Sequence, residues 1–210
     1  MFKVHRRRND KVFGQYLEGL FHEGKHNIER MNERIKGSNY DQLHHFISES
    51  PWAHEPVVET VGKDISDLFS GRSERVGLII DESGHRKSGK KSVGVSRQYL
   101  GSIGKTDNGQ VAVFAALCQG DDVGMVDVRL YLPKSWTRDK KRCDKAGIPE
   151  LKQSFKTKPR LALDMIQGLE GIVDYDWVGG DGVYGNSAEL RKGIAALGKK
   201  YVLDVHESQK

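Results

Sequence analysis

Cysteine is nearly missing from this chain. Cys118 and Cys143 are the only two among 210 residues, too few and too far apart for a disulfide framework or a CxxC metal knuckle. Such usage suits a reducing compartment. Long apolar runs are also missing: the longest, Val111 to Cys118, falls far short of the roughly 18 residues needed to cross a bilayer as a helix. No charged-then-apolar leader opens the sequence, so a soluble cytoplasmic protein with no membrane partner is expected. There is no internal repeat and no low-complexity tract. The GxxxxGK[ST] spacing is absent too, although Ser88-Gly89-Lys90 touches on it, which excludes nucleotide hydrolysis of the P-loop kind. Acidic side chains are the minority, 29 against 34 Lys and Arg for a formal charge of +5. That balance suits a polyanionic partner without demanding one.

The positive charge is unevenly spread. Residues 84–105 carry six basic side chains (Arg86, Lys87, Lys90, Lys91, Arg97 and Lys105) and no acid, and residues 134–160 hold ten Lys and Arg against three acids. Either run taken alone reads more readily as a solvated loop. The first gains meaning from the aspartate just before it.

The pattern of the chain changes near residue 71. Before it, apolar residues recur at helical spacing, with Phe13, Tyr16, Leu17, Leu20 and Phe21 in one stripe and Val57, Val58, Val61, Ile65, Leu68 and Phe69 in another. Gly24, Gly37-Ser38-Asn39 and Ser50-Pro51 punctuate this region, which predicts about four helices over residues 1–70, the third near 40–48. Small helical arrays of this kind commonly bind DNA. Beyond Gly71 the texture becomes strand-like. Val76 to Ile80 is an apolar run ending in Asp81, and Val93–Leu100, Gln110–Cys118 and Val126–Leu132 read as further strands in an antiparallel meander. Lys158-Pro159 announces a helix with proline in its first turn, Tyr175–Asp181 a strand, 187–197 a helix and Lys200–Val205 a last strand. The order predicts an α/β fold with a mixed sheet over residues 71–210. Right-handed crossovers then set the Asp181 strand parallel, or close, to the Asp81 strand.

Asp81 and Asp181 both stand where an apolar strand runs out into a glycine-containing segment, at the sheet edge where sites are usually found. Two carboxylates on neighbouring strands repel unless a cation or a proton intervenes. With oxygen ligands and no Cys–His set nearby, that cation is Mg²⁺, with Mn²⁺ as a substitute. Turn chemistry is the competing reason to find Asp at a strand end. Arg86, Lys87, Lys90 and Lys91 lie among Gly84, Ser88 and Gly89, offering cationic side chains and backbone N–H groups to a phosphate backbone.

The strings LIIDESGHRKSGKKSVGVSRQYLGSIGK, NGQVAVFAAL, RLYLPKSW, FKTKP and WVGGDGVYG, with YLEGL, NIERM and LHHFISESPW before them, resemble the DDE transposases of the IS701 group, relatives of the IS4 insertion-sequence enzymes. The resemblance covers most of the chain. It implies a ribonuclease-H-like mixed sheet with flanking helices, preceded by a small helical DNA-binding segment, with Asp81 and Asp181 as the first two acids of a catalytic triad. It also implies Mg²⁺ or Mn²⁺ at those acids, DNA (insertion-sequence ends and target) as partner, with Arg86, Lys87, Lys90, Lys91 and Arg97 near its backbone, assembly as a homo-oligomer and a nucleoid-associated location. The family's third acid, a glutamate, follows the last core strand after an inserted β-rich region, and this sequence stops at Lys210, before the last catalytic helix. Glu207 lies too early for that role, and Glu82 is expected to face away from Asp81. The alternatives left open are an inactive DNA-binding remnant and a nuclease acting on RNA hybrids.

Overall fold

The computed structural model describes residues 3–4, 7–50 and 53–205. The chain divides into two compact units, Met1–Val57 and Val58–Lys210. In the first, β1 (Lys3–Val4) pairs antiparallel with β2 (Arg7–Arg8), and three helices follow: α1 (Asp10–Phe21), α2 (Ile28–Arg34) and α3 (Tyr40–Ser48). Asn27 accepts from the Arg30 backbone N–H and Asn39 from that of Gln42, capping α2 and α3 where the sequence supplies a short polar side chain. Met31, Ile35 and Leu43 form the buried cluster, with Val12, Tyr16 and Ile28 against it.

The apolar stripe of α1 does not mark its buried face. Leu17, Leu20 and Phe21 are exposed, and the buried positions are Gln15 and Gly19. Gly19 is the cause: its missing side chain lets Met31 and Ile35 approach the helix backbone. Gln15 adds a hydrogen bond from its Nε2 to the Gly37 carbonyl at 2.9 Å. Helix α4 (Glu55–Phe69) shows the same displacement, burying Gly62, Ser66 and Phe69 and leaving Val61 and Leu68 exposed. The Ser66 hydroxyl accepts from the Asp174 N–H at 2.9 Å, and Ile65 and Phe69 join the core of the second unit. The division of the chain therefore precedes the change of texture near residue 71.

The second unit is built on strands β3 (Gly77–Arg86), β4 (Ser96–Leu100), β5 (Lys105–Gln119), β6 (Asp122–Leu130), β7 (Trp177–Gly180) and β8 (Lys200–Leu203). They form one mixed six-stranded sheet in which β4 and β6 both pair β5, and the order continues β5-β3-β7-β8. β3 runs antiparallel to β5 and parallel to β7, which runs parallel to β8. Helices α7 (Lys158–Leu169) and α9 (Ala188–Ala196) contribute Leu163, Met165, Ile166, Leu190 and Ile194 to a core shared with Leu78, Ile80, Val113, Leu117 and Val178 of the sheet. Burying each such side chain stabilises the fold by roughly 1.5–3 kcal/mol. This mixed sheet with flanking helices fits a ribonuclease-H-like fold.

Three local features differ from the sequence pattern. β4 begins at Ser96 rather than Val93, because Gly94 takes a left-handed φ of 77° inside a turn closed by Val95 N–H to Ser92 O. Two short helices, α5 (Lys134–Thr137) and α6 (Lys140–Lys145), lie in the second basic run, where no periodicity announces them. Between β7 and α9, the turn-long helix α8 (Gly182–Gly185) starts directly after Asp181. Among the described residues no helix is long and apolar enough to cross a membrane.

Candidate active site

The parallel ladder of β3 and β7 pairs Gly77 with Trp177 and ends with Ile80 opposite Gly180. Asp81 and Asp181 are thus the next residues on two neighbouring strands, whose backbones lie about 4.8 Å apart. Their settings differ. Asp181 leaves the strand and caps α8, its Oδ1 accepting from the Val183 N–H at 2.9 Å. Asp81 is not at a strand end: β3 continues to Arg86, paired with β5 down to Gly109. Only its β7 side is open, because that ladder stops where Asp181 turns into α8.

Asp81 Oδ1 accepts from the Glu82 backbone N–H at 2.7 Å. Burial pushes its carboxyl above the usual value of 3.8. The negative charges of Glu82 and Asp181 act in the same direction, opposed by the Glu82 N–H and by Lys158. A carboxylate whose surroundings disfavour its charge, standing beside a second one, is stabilised by a cation. The oxygen-only donor set fits a hard divalent ion that keeps water in its remaining positions. Among the described residues no group of three or more His, Cys, Asp and Glu converges to hold a metal. Glu207 lies outside the described residues.

Glu82 faces away from Asp81 as its strand position implies, but its two partners escape a reading of the sequence. Strand alternation turns Glu82 to the same face of β3 as Leu78 and Ile80, where it is mostly buried. There it accepts from Lys158 Nζ at 2.6 Å and from the Tyr184 hydroxyl at 2.7 Å. Lys158 opens α7 and Tyr184 belongs to α8, so Glu82 links the strand of Asp81 to the helix that Asp181 caps. Tyr184 is fully buried. Burial, then its bond to Glu82, holds its phenol far above the ordinary range and keeps it a donor. These partners are 76 and 102 residues from Glu82, and no local pattern announces them.

The basic loop does not flank the aspartates. Arg86 lies five residue steps along the strand from Asp81, about 17 Å at 3.4 Å per residue. Ser83 to His85 look loop-like but are paired with β5. Arg86 Nε lies 3.1 Å from Asp107 Oδ2. The Asn108 N–H, with Arg86, Lys105 and Arg97, holds the Asp107 carboxyl below the usual range against the effect of burial. Arg97, Lys90 and Lys91 are exposed and Lys87 is half-buried. The structure therefore groups Arg86 with Arg97, and Lys87 with Lys90 and Lys91, away from the carboxylate pair.

The sequence matches the family model described as DDE superfamily endonuclease over residues 2–210, and endonucleases of this superfamily generally use divalent metal ions. It is also 34% identical over 154 residues to a protein of Microchaete diplosiphon described as a probable transposase for insertion sequence element IS701, an alignment covering 72% of this chain and 36% of that protein. The chain thus spans little more than a third of the length of the curated relative it matches. A match that runs along almost the whole sequence, over a sheet that sets two aspartates side by side, means that the chain belongs to the DDE superfamily endonucleases and is IS701-like among the transposases.

Proposed function

We propose that this chain is the front part of an insertion-sequence transposase that cleaves and transfers DNA strands at a site built on Asp81 and Asp181. The observation that carries this is the in-register pairing of Ile80 with Gly180, which makes Asp81 and Asp181 the next residues on two neighbouring strands. Asp81 and Asp181 hold Mg²⁺ or Mn²⁺. When bound in pairs, such ions supply activation of the attacking oxygen and stabilisation of the leaving one in an in-line displacement at phosphorus. Lys158 biases Asp81 toward its charged form, and the bonds of Glu82 to Lys158 and Tyr184 hold β3, α7 and α8 in mutual register. Arg86, Lys87, Lys90, Lys91 and Arg97 take the DNA backbone some distance from the reacting phosphate. The helices ahead of α4 act as a helical DNA-binding segment, and the unit Val58–Lys210, whose core α4 joins, acts as an incomplete catalytic domain. The protein works on DNA as a homo-oligomer at the nucleoid.

A second reading is a DNA-binding remnant without activity. Its physical ground is that a two-metal centre needs enough anionic oxygen for both ions. Nicking of insertion-sequence end DNA in Mg²⁺ separates the two. The transposase reading expects nicks that vanish in Asp81→Asn and Asp181→Asn. Salt-sensitive binding that neither substitution changes, with no nicks at any metal concentration, leaves the remnant.

A further inference from the structure

The loop after β3 and the short helix α6 form one prearranged basic surface. The loop turns its carbonyls inward. Lys87 N–H donates to Asn108 O at 2.9 Å, and Asn108 Nδ2 donates to Lys87 O and Gly89 O at 2.6 and 2.9 Å. Arg142 Nη2, from α6, donates to Lys90 O at 2.7 Å. The same guanidinium lies 3.7 Å from the centre of the Trp136 ring, and that buried indole donates to Val95 O at 2.9 Å. A carbonyl and a ring face thus position Arg142, neither of which cancels its charge as a carboxylate would.

The acids of this region are used differently. Asp139 caps α6 by accepting from the Arg142 N–H at 3.0 Å, and Asp144 accepts from Gln153 Nε2 at 2.8 Å. Lys140 has an exposed partner in Glu150 at 3.5 Å. Lys90, Lys91, Arg138, Lys141 and Lys145 are exposed, and none forms an ion pair with a described residue. Lys141 and Lys145 stand one helical turn apart on the same side of α6. Crowded like charges on a backbone already fixed by hydrogen bonds repel one another in the free protein. They also need little ordering to meet an anionic strand.

We propose that α6, continuous with the Lys90–Lys91 loop, is a second DNA-backbone contact, in which Arg138, Lys141 and Lys145 bind phosphates of a duplex that also lies on the loop. This rests on the reading of DNA as the partner. It adds a sequence-independent grip, because ammonium and guanidinium groups on phosphates carry no base information.

The test is fluorescence anisotropy of the full chain with a labelled duplex of arbitrary sequence, repeated across a salt series. Lys141→Ala/Lys145→Ala is expected to make the log K against log salt slope shallower by about 1.8, that is about 0.9 for each phosphate left without its lysine. Lys63→Ala/Lys192→Ala, an equal charge loss on α4 and α9, is expected to leave the slope near that of the wild type. An unchanged slope in the α6 variant, or an equal change in the control, overturns the proposal alone while the wild type still binds. A wild type that shows no salt-dependent binding overturns the DNA-partner reading and this proposal together.

Discussion

The Asp181 carboxylate has two tasks, capping α8 through the Val183 N–H and, as proposed, holding a metal ion. Asparagine keeps the capping oxygen and discards the charge, whereas alanine discards both. In the absence of divalent ions Asp181→Asn should melt close to the wild type, and Asp181→Ala should lose a further ~0.5–2 kcal/mol. With Mg²⁺ at a hundred times its dissociation constant the wild type should gain about 2.7 kcal/mol, and neither variant should gain it. A magnesium-induced rise in Tm that survives Asp181→Asn would remove this carboxylate from the site. Asp81 gives a pH signature. Its folded-state value lies above 3.8, so between the two values the folded protein carries a proton that the unfolded chain has released. Stability without metal should therefore fall as pH rises through that window, and Asp81→Asn should flatten this part of the urea-unfolding profile. Tyr184→Phe removes the buried donor to Glu82. A hydrogen bond to a charged group contributes about 1.5–3 kcal/mol, so the unfolding midpoint should drop accordingly while the denaturant slope stays the same.

At the scale of elements, what the sequence announces is what local pattern can encode. The apolar runs of β3 and β7 and Pro159 near the start of α7 are read directly, and from them follows the neighbouring placement of the strands leading to Asp81 and Asp181. The length of β3 is not legible, because Glu82-Ser83-Gly84-His85 has the composition of a loop yet is paired residue by residue with β5. That one extension carries Arg86 away from the aspartates. Helices α5 and α6 are too short to show a period, and the buried face of α1 is set by Gly19, which an apolar count ignores. The contact of α8 with the end of β8 depends on another such absence. A Cβ on Gly185 would lie 1.7 Å from the Asp204 carbonyl oxygen, a backbone atom that no rotamer change can move. Gly185→Ala should push β8 off α8 and cost at least ~1–3 kcal/mol. Native-state hydrogen exchange is the direct measurement: the Asp204 N–H, bonded to Gly180 O at 3.1 Å, should lose protection first. Unchanged protection there would show that the two segments part without strain.

For the whole molecule, the question is which unit carries which interaction. Every side chain that surrounds the carboxylate pair, namely Glu82, Lys158, Tyr184 and the β7–α8 turn, belongs to Val58–Lys210, as do both basic runs. The first unit is small, its described core resting on Met31, Ile35, Leu43 and Phe46, and nothing in it lies on the strands that present Asp81 and Asp181. A chain begun at Ala53, ahead of α4, should therefore keep the magnesium-dependent rise in Tm and most of the salt slope on arbitrary duplex DNA. If the front helices read DNA sequence, the same truncation should lose discrimination. The full chain should prefer insertion-end DNA over a scrambled duplex by a large factor, roughly 10³ or more for a specific binder, and the shortened chain should bind both alike. Competition titrations at one fixed salt concentration measure this ratio. A preference that survives truncation would move sequence recognition into the sheet unit and its basic loop, and the helical segment would then need another role.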